Sequence, residues 1–499
     1  MALLLLPLAY ALLLSPIAVL DVRHAGGRAT FDHVLFHEHT IEQLARTWPV
    51  AHLVDPPEDA PAAKPRHFVA MTPGFHWTLA AAQRFTGAGP GALRLVGLGL
   101  SAAILAGFVL VLARWAGPVR AVALAAPLCA SVYVANSGAW LLADNAGWFW
   151  VFALLALAVR ASWSWRTAVV AGGGLLLAVW TRQNLLWLAL PLWAAAWLAA
   201  PRDGPGGVTP GSEAAGTPRA SLGSRAASLG PMALATLPAV ASLGYLYTVW
   251  DGLVPFEFQG QYRGANPSNV PLQLAMLGML GIWFTPAIVG VGEEGWRARA
   301  AERLRAVRWW MLSAAGVSLV VAVLVPTTLA PKQGRAGLVW QLGGLANALS
   351  PAPEHLSPLL VLAASFGAGL LVFLLAFAPR RQRWVLAAGL AGFGIAQSAS
   401  FEVWQRYHEP FALLFLGLAT AVIVGGRRPP ATGTPNAQLL PPFGLAVVLA
   451  ALTGFVLWTK EIDPWRRGEP TRPNDPRLPA PQAPSAALGE PAAALTARG

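Results

Sequence analysis

Apolar residues in this chain gather into runs about as long as a bilayer core demands, separated by short polar connections. A helix needs roughly 20 apolar residues to cross the hydrocarbon core. On that measure spans are predicted near 2–20, 94–113, 121–141, 146–159, 167–180, 184–200, 231–249, 270–291, 309–328, 358–378, 384–400, 410–425 and 440–459. Two of them, 146–159 and 167–180, are short, so they either borrow flanking residues or form broken helices. The pattern predicts an all-α, polytopic transmembrane protein of about 13 spans, roughly 11–13.

The connections differ in kind. The first, 21–93, is long, and within 33–48 the apolar residues Val34, Ile41, Leu44, Ala45 and Trp48 fall on one helical face. Asp32 stands where an N-cap belongs. This predicts a helix lying along the membrane surface, then a loop rich in proline at 55–65, then a second helix after Pro73-Gly74. The connection 201–230 is rich in Gly, Ala, Ser and Pro and reads as a flexible linker. The Pro/Ala-rich tail 461–499 reads as disordered, which leaves 1–460 as one membrane module. No internal repeat is evident, against a carrier built from duplicated halves.

Composition sharpens this picture. Charged residues make up 12% of the chain and hydrophobic ones 56%, about half the charge fraction of a soluble domain. The 22 tryptophans suit two membrane–water interfaces. A net charge of +12, from 35 Lys+Arg against 23 Asp+Glu, would suggest nucleic acid in a soluble chain. Here about half of those cations fall in alternate short connections, densest from Arg297 to Arg308, as the positive-inside rule expects. The expected topology has a cytoplasmic N-terminus, the 201–230 loop inside, and 21–93, 141–145, 181–183, 250–269, 329–357 and 401–409 outside; nucleic acid is not an expected partner. Residues 1–20 lack a positive n-region and read as an uncleaved helix. The lone Cys129 excludes an intrachain disulfide or a thiolate metal cluster. Abundant Ala, Gly, Arg and Pro point to a GC-rich bacterial genome, hence to the inner membrane.

The candidate chemistry lies at the expected outer edge. Asp32, with Glu38 near it, is either a general base for an acceptor hydroxyl or simply a helix cap. Asp144, between two apolar spans, is open between a functional carboxylate and another cap. Arg182, Gln183 and Asn184 set three polar side chains between apolar runs, on the side where cations are disfavoured. Arg182 has the planar fork that holds phosphate, although an arginine that snorkels to the interface is the competing reading. Arg406, Tyr407, His408 and Glu409 offer a cation, an aromatic face and an acid–base pair at the start of a span. Asp251, Arg263 and Asn266 form a less specific group. His33 and His37 have i,i+4 spacing that can chelate zinc, but no HExxH pattern or third ligand accompanies them, so no metal or other cofactor is expected. P-loop, Rossmann and Gly-x-Ser-x-Gly patterns are missing too.

At these clusters the chain resembles the GT-C superfamily of membrane glycosyltransferases, and within it the dolichyl-phosphate-glucose-dependent alpha-1,2-glucosyltransferase family and its bacterial relatives. Asp32 matches the family's acidic residue early in the first luminal loop. Thr72-Pro73-Gly74-Phe75 matches a Thr-Pro-Gly-aromatic stretch, and Asp144-Asn145-Ala146-Gly147 an Asp-x-Gly-type segment opening a later span. Arg182-Gln183-Asn184-Leu185-Leu186-Trp187 matches an Arg-Gln-(Thr)-Asn-apolar-apolar-Trp segment without its Thr, and Arg406-Tyr407 a late Arg-Tyr pair. The family's first motif is usually an acidic pair, whereas here His33 follows Asp32.

The resemblance implies a hexosyltransferase that needs no metal, with a polyprenyl-phosphate-linked sugar as donor, a glycan, lipid or protein as acceptor, and membrane lipid around it. It implies Asp32 as base, with Asp144 as a further catalytic candidate, and Arg182, Gln183, Asn184, Arg406 and Tyr407 at the donor phosphate; Glu38, near Asp32 in the sequence, is a catalytic candidate from its position alone. Thr72, Pro73 and Gly74 would form a substrate loop, and Asp251 and Arg263, from the less specific outer group, are expected beside it. Two other classes are a transporter or flippase for a lipid-linked sugar, and a non-catalytic membrane assembly factor.

Overall fold

A computed structural model of the chain describes residues 2–20, 22, 32–47, 69–160, 163–199, 222–255, 258–259, 262, 264–325, 357–400, 402–426 and 437–467. Among the described residues every regular element is helical. The helices are α1 (Ala2–Ala18), α2 (His39–Thr47, continuing a π-helical turn His33–Glu38), α3 (Gly74–Thr86), α4 (Pro90–Ala116), α5 (Pro118–Cys129), α6 (Val132–Ala139), α7 (Asp144–Arg160) and α8 (Trp165–Thr181). A 3₁₀ segment Gln183–Leu188 leads into α9 (Ala189–Leu198). Then come α10 (Leu222–Trp250), α11 (Asn269–Val289), α12 (Trp296–Leu324), α13 (Pro358–Leu375), α14 (Arg380–Ser398), α15 (Gln405–Gly425), α16 (Leu440–Leu457) and the short α17 (Asp463–Arg467).

Each predicted span coincides with helix. Among the described residues seven helices are long and apolar enough by themselves to cross a membrane, or up to eight if one bent pair is taken together. The chain is therefore a polytopic helical membrane protein.

Three boundaries differ from the hydropathy reading. The expected single span 121–141 is two helices, α5 and α6, bent by 76°. Pro127 lies in the last turn of α5, and beyond it Ser131 is extended. The Ala130 carbonyl at the bend accepts from Thr453 Oγ1 at 2.7 Å, which satisfies that group inside the bundle. Secondly, α10 starts at Leu222, so the end of the expected linker 201–230 is helix, and 201–221 lies outside the described residues. Thirdly, helix continues past the expected start of the tail, to Arg467; 468–499 lies outside the described residues.

The most enclosed element is α15, packed against α4, α5, α7 and α11, with Phe411, Leu413, Leu414 and Leu418 fully buried. By contrast α12 packs chiefly on α13 and presents Trp309, Trp310, Leu312, Val317 and Leu324 outward. Exposed apolar side chains on a long helix are what contact with lipid tails requires.

The two ends of the bundle are chemically different. At one end Arg381 Nη2 donates to Ala158 O near the C-terminus of α7 (3.4 Å). Beside it, Arg383 donates to the carbonyls of Leu375, Ala376 and Ala378 at the C-terminus of α13. A cation there satisfies carbonyls that the last helical turn leaves unbonded. The opposite end of α7, Asp144, faces a different set of charges.

Candidate functional site

Four helix ends deliver the candidate residues. Asp32 directly precedes the π-turn His33–Glu38 with φ −60° and ψ −38°, and its side chain makes no capping bond. The cap reading of Asp32 is thus corrected: a helical backbone there points the carboxylate away from the first-turn amides and toward α15. The i→i+5 register of the next six residues is rare and tends to occur at functional sites. Asp144 opens α7, whose start is held by Asn145, with Nδ2 donating to Ser101 Oγ (3.0 Å) and to Val134 O (3.1 Å). Arg182 ends α8 in an extended conformation, where the chain switches to 3₁₀ helix. Gly147 makes room for it, since a Cβ there would lie 3.2 Å from Arg182 Cδ. Arg406 and Tyr407 sit in the first turn of α15.

These five residues converge. Arg406 Nη1 donates to Asp32 Oδ2 at 3.1 Å, and Arg182 Nη1 donates to Asp144 Oδ1. Arg406 Nε lies 3.9 Å from Asp144 Oδ2 and is buried without a hydrogen bond. The Tyr407 hydroxyl accepts from both guanidinium groups, Arg182 Nη2 at 3.0 Å and Arg406 Nη2 at 2.9 Å. The Arg182 cation stands 4.8 Å from the Tyr407 ring centre, and the Arg406 cation 4.9 Å from that of Trp404. All four charged side chains are only 9–14% exposed. Charges removed from water in this way are costly unless paired and hydrogen-bonded, which two cations and two anions around one phenol achieve.

Other predicted residues brace this centre. Thr72 Oγ1 donates to Val179 O at 2.8 Å, and Gln183 Nε2 donates to Ala70 O at 2.7 Å. Pro73 precedes α3, and Gly74 at its start abuts the end of α8, where a Cβ would meet Trp180 O at 2.5 Å. The remaining residues lie apart. Glu38 stands 3.1 Å from His33 Nε2, and Asn184 is exposed. Asp251 is exposed at a left-handed φ of 53°, offering only its backbone carbonyl, to Gln259. Arg263 lies outside the described residues. Among the described residues no group of three or more His, Cys, Asp or Glu could hold a metal ion.

The structure gives His37 a partner that sequence reading did not, and adds His76 and Tyr262 to the surroundings of the centre. His37 Nδ1 and His76 Nε2 are 2.8 Å apart, joining the π-turn to α3, with the rings stacked within 8°. Burial drives the His37 imidazole down to about 3, partly opposed by Asp144, and drives His76 lower than its usual range as well. Both are therefore neutral rings beside the charged centre. The Tyr262 phenol also lies in the field of Tyr407, Arg406, Arg182 and Asp32, with its ionisation pushed up by burial. The i,i+4 spacing of His33 and His37 was a visible signal, but the partner His76 is 39 residues away. Beside the centre opens an apolar groove of about 750 Å³, lined by Phe75, Trp77, Ile104, Trp150, Trp180 and Thr181 among others.

No family model and no curated protein matches the chain. Among solved structures it is similar to ArnT from Cupriavidus metallidurans bound to undecaprenyl phosphate, with 14% identity and a TM-score of 0.33 over 90% of this chain and 77% of that one. It is also similar to the archaeal oligosaccharyltransferase AglB from Archaeoglobus fulgidus in complex with an inhibitory peptide and a dolichol-phosphate, with 15% identity and a TM-score of 0.34. That match takes in 97% of this chain and 61% of AglB, so the chain spans about three-fifths of AglB's length.

Proposed function

We propose that the protein is an inverting glycosyltransferase that moves a sugar from a polyprenyl-phosphate donor to an acceptor hydroxyl at the outer face of the membrane. The observation that carries this reading is the meeting of Arg182 and Arg406 with Asp32 and Asp144 around Tyr407, from segments as much as 374 residues apart. Two planar forks aimed at one point suit a phosphate better than a point charge does. The apolar groove reaching Thr181, next to Arg182, suits the isoprenoid tail of such a donor.

In this reading the donor phosphate competes with Asp32 for the Arg406 fork and frees the carboxylate for the acceptor. Asp32 takes the acceptor O–H proton while that oxygen attacks the anomeric carbon from the face opposite the phosphate. The bond from the anomeric carbon to the phosphate oxygen breaks, its electron pair passes to the phosphate, and configuration inverts. Charge grows on the departing phosphate during this step, so the two arginines and the Tyr407 hydroxyl hold the transition state more tightly than the ground state. Asp144 keeps Arg182 oriented. A flippase would call for polar residues staged at mid-membrane, whereas these ion pairs gather at one end of the bundle.

The test is transfer by the purified protein from radiolabelled polyprenyl-phosphate sugars to a lipid-extract acceptor pool, with the anomeric configuration of the product determined. Transfer with inversion is expected. Retention of configuration, or no transfer from any donor in the panel, overturns the proposal.

A further inference from the structure

α15 carries Arg406 and Tyr407 in a polar first turn, Gln405 to Glu409, and beyond it the helix is apolar except for Thr420. Inside a membrane, apolar packing alone specifies the rotation of such a helix weakly, because lipid and protein interior are equally apolar. Something polar must fix which way its first turn faces, and the structure contains two anchors behind the charged centre.

The first is Asn269, the opening residue of α11, with no exposed surface. Its Nδ2 donates to Gln397 O at 3.0 Å, Asn266 O at 3.1 Å and Glu402 O at 3.4 Å, tying the end of α14 and the connection to α15 to one point. With Nδ2 spent on carbonyls, Oδ1 is the acceptor for His408, 2.9 Å away. His408 must then carry its hydrogen on Nε2 and leave Nδ1 as a bare lone pair, which agrees with the buried Nδ1 having no partner. The second anchor is Glu409, also buried, whose Oε1 accepts from Ser131 Oγ at 2.7 Å and whose Oε2 accepts from Gln405 Nε2 at 3.0 Å. Ser131 is the residue at the bend between α5 and α6. The four consecutive side chains Arg406 to Glu409 thus divide, two to the charged centre and two to these anchors.

We propose that Asn269 and Glu409 are positioning residues that fix the first turn of α15, so that Arg406 meets Asp32 and Tyr407 meets Arg182. What the positioning serves rests on the phosphate reading above; the positioning itself does not. Asn269→Asp is the sharp variant, since a carboxylate of the same shape can neither donate to the three carbonyls nor leave them unrepelled. Asn269 bonds Asn266, Gln397, Glu402 and His408, whereas Asp32 bonds Arg406, so their effects should add unless α15 links them.

The experiment is a thermal-unfolding cycle in detergent with Asn269→Asp, Asp32→Asn and the double variant, alongside binding of farnesyl phosphate to each. Asp32→Asn is expected to lower Tm in the wild-type background and by less than half as much beside Asn269→Asp, because Arg406 has already left its partner. Equal Tm losses in both backgrounds overturn the proposal. In the binding arm, Asn269→Asp and Glu409→Leu should weaken farnesyl phosphate by about tenfold or more, while Glu409→Gln, which can bond both neighbours by turning its amide, stays near wild type. Unchanged affinity in both Asn269→Asp and Glu409→Leu also overturns it. Should the wild-type protein bind no farnesyl phosphate, the phosphate reading fails while the thermal cycle still decides the positioning. If Asn269→Asp cannot be obtained folded, His408→Leu, which removes a single bond, replaces it in both arms.

Discussion

Tyr407 accepts a hydrogen bond from each guanidinium and so holds two like charges close without either facing hydrocarbon. Both phenol lone pairs are used, which leaves its own hydrogen to be donated to an oxyanion. The division of labour around it separates the two carboxylates. Asp32, directly before the π-turn His33–Glu38, pairs with Arg406, while Asp144 faces both arginines. Replacing Asp32 by Asn keeps shape and hydrogen bonding but removes the proton acceptor, so turnover should fall by about 100-fold or more with donor binding retained. Glu38→Gln, at a residue paired with His33, should be much milder. Near-normal turnover in Asp32→Asn would move the base to Asp144. Arg182 tests the phosphate assignment directly. A charged hydrogen bond contributes about 1.5–3 kcal/mol, so Arg182→Ala should lose about 10- to 150-fold in rate per folded molecule. Arg182→Lys should recover only part, because an ammonium lacks the fork. Full recovery by Lys would instead describe an arginine that serves only the interface.

At the scale of elements, periodicity and length located the helices well, since apolar runs and the Pro73-Gly74 start are local signals. Arg182 and Arg406 were legible as cations on the side where cations are disfavoured, and Asp144 as an ionisable residue between apolar spans, whereas Asp32 was legible only as an acid at a predicted helix start. The bend at Ser131 was not read from the apolar run 121–141, because the group that satisfies the carbonyl there is tertiary, a threonine 323 residues from Ala130. The cap reading of Asp32 failed likewise, through a partner in α15. The His37–His76 bond, which ties the π-turn to α3, was also beyond local reading, and it has a pH signature. His37 is neutral in the folded protein down to about 3, whereas in an unfolded chain it protonates near about 6.5. Between those values the unfolded state binds the extra proton, so stability should fall as pH drops from about 6.5, by about 1.4 kcal/mol per unit for each such histidine. Above that window this pair contributes no slope. The groups facing His37 are His76, His33, Asp144, Arg406 and Arg182, and above about pH 4.5 the arginines hold their charge and ordinary carboxylates remain ionised. Tm in detergent between pH 4.5 and 7.5 should therefore slope less steeply in His37→Gln than in wild type. Parallel slopes would show that some other group carries the acid sensitivity.

For the molecule as a whole, the decisive property is that its two ends carry different chemistry. One gathers the paired charges of Asp32, Asp144, Arg182 and Arg406; the other holds arginines set on helix C-termini, with Arg381 beside Ala158 and Arg383 beside Leu375. α7 runs from the first end to the second, from Asp144 to Arg160, so the two sets cannot share a side if α7 crosses the membrane. α12 adds weight, since its first turns carry Arg297, Arg299, Arg303, Arg305 and Arg308, and its 29 residues span about 43 Å, more than the roughly 30 Å hydrocarbon core. The surplus at the arginine end belongs in headgroups and cytoplasm, where the positive-inside rule places such residues. On the proposed topology the charged centre faces outward, the side on which the proposed lipid-linked donor would meet its acceptor. Two exposed positions test this without disturbing the site: Glu294, beside the arginine run, and Thr86, at the end of α3. In a Cys129→Ser background, Glu294→Cys should resist an impermeant maleimide in intact spheroplasts and react only after permeabilisation, and Thr86→Cys should react at once. The buried Cys129 gives little background in any case. The reverse pattern would turn the molecule over and put Asp32 on the cytoplasmic side, where water-soluble nucleotide sugars are made. A phosphate site with an isoprenoid groove would then have to serve a donor before it crosses the membrane.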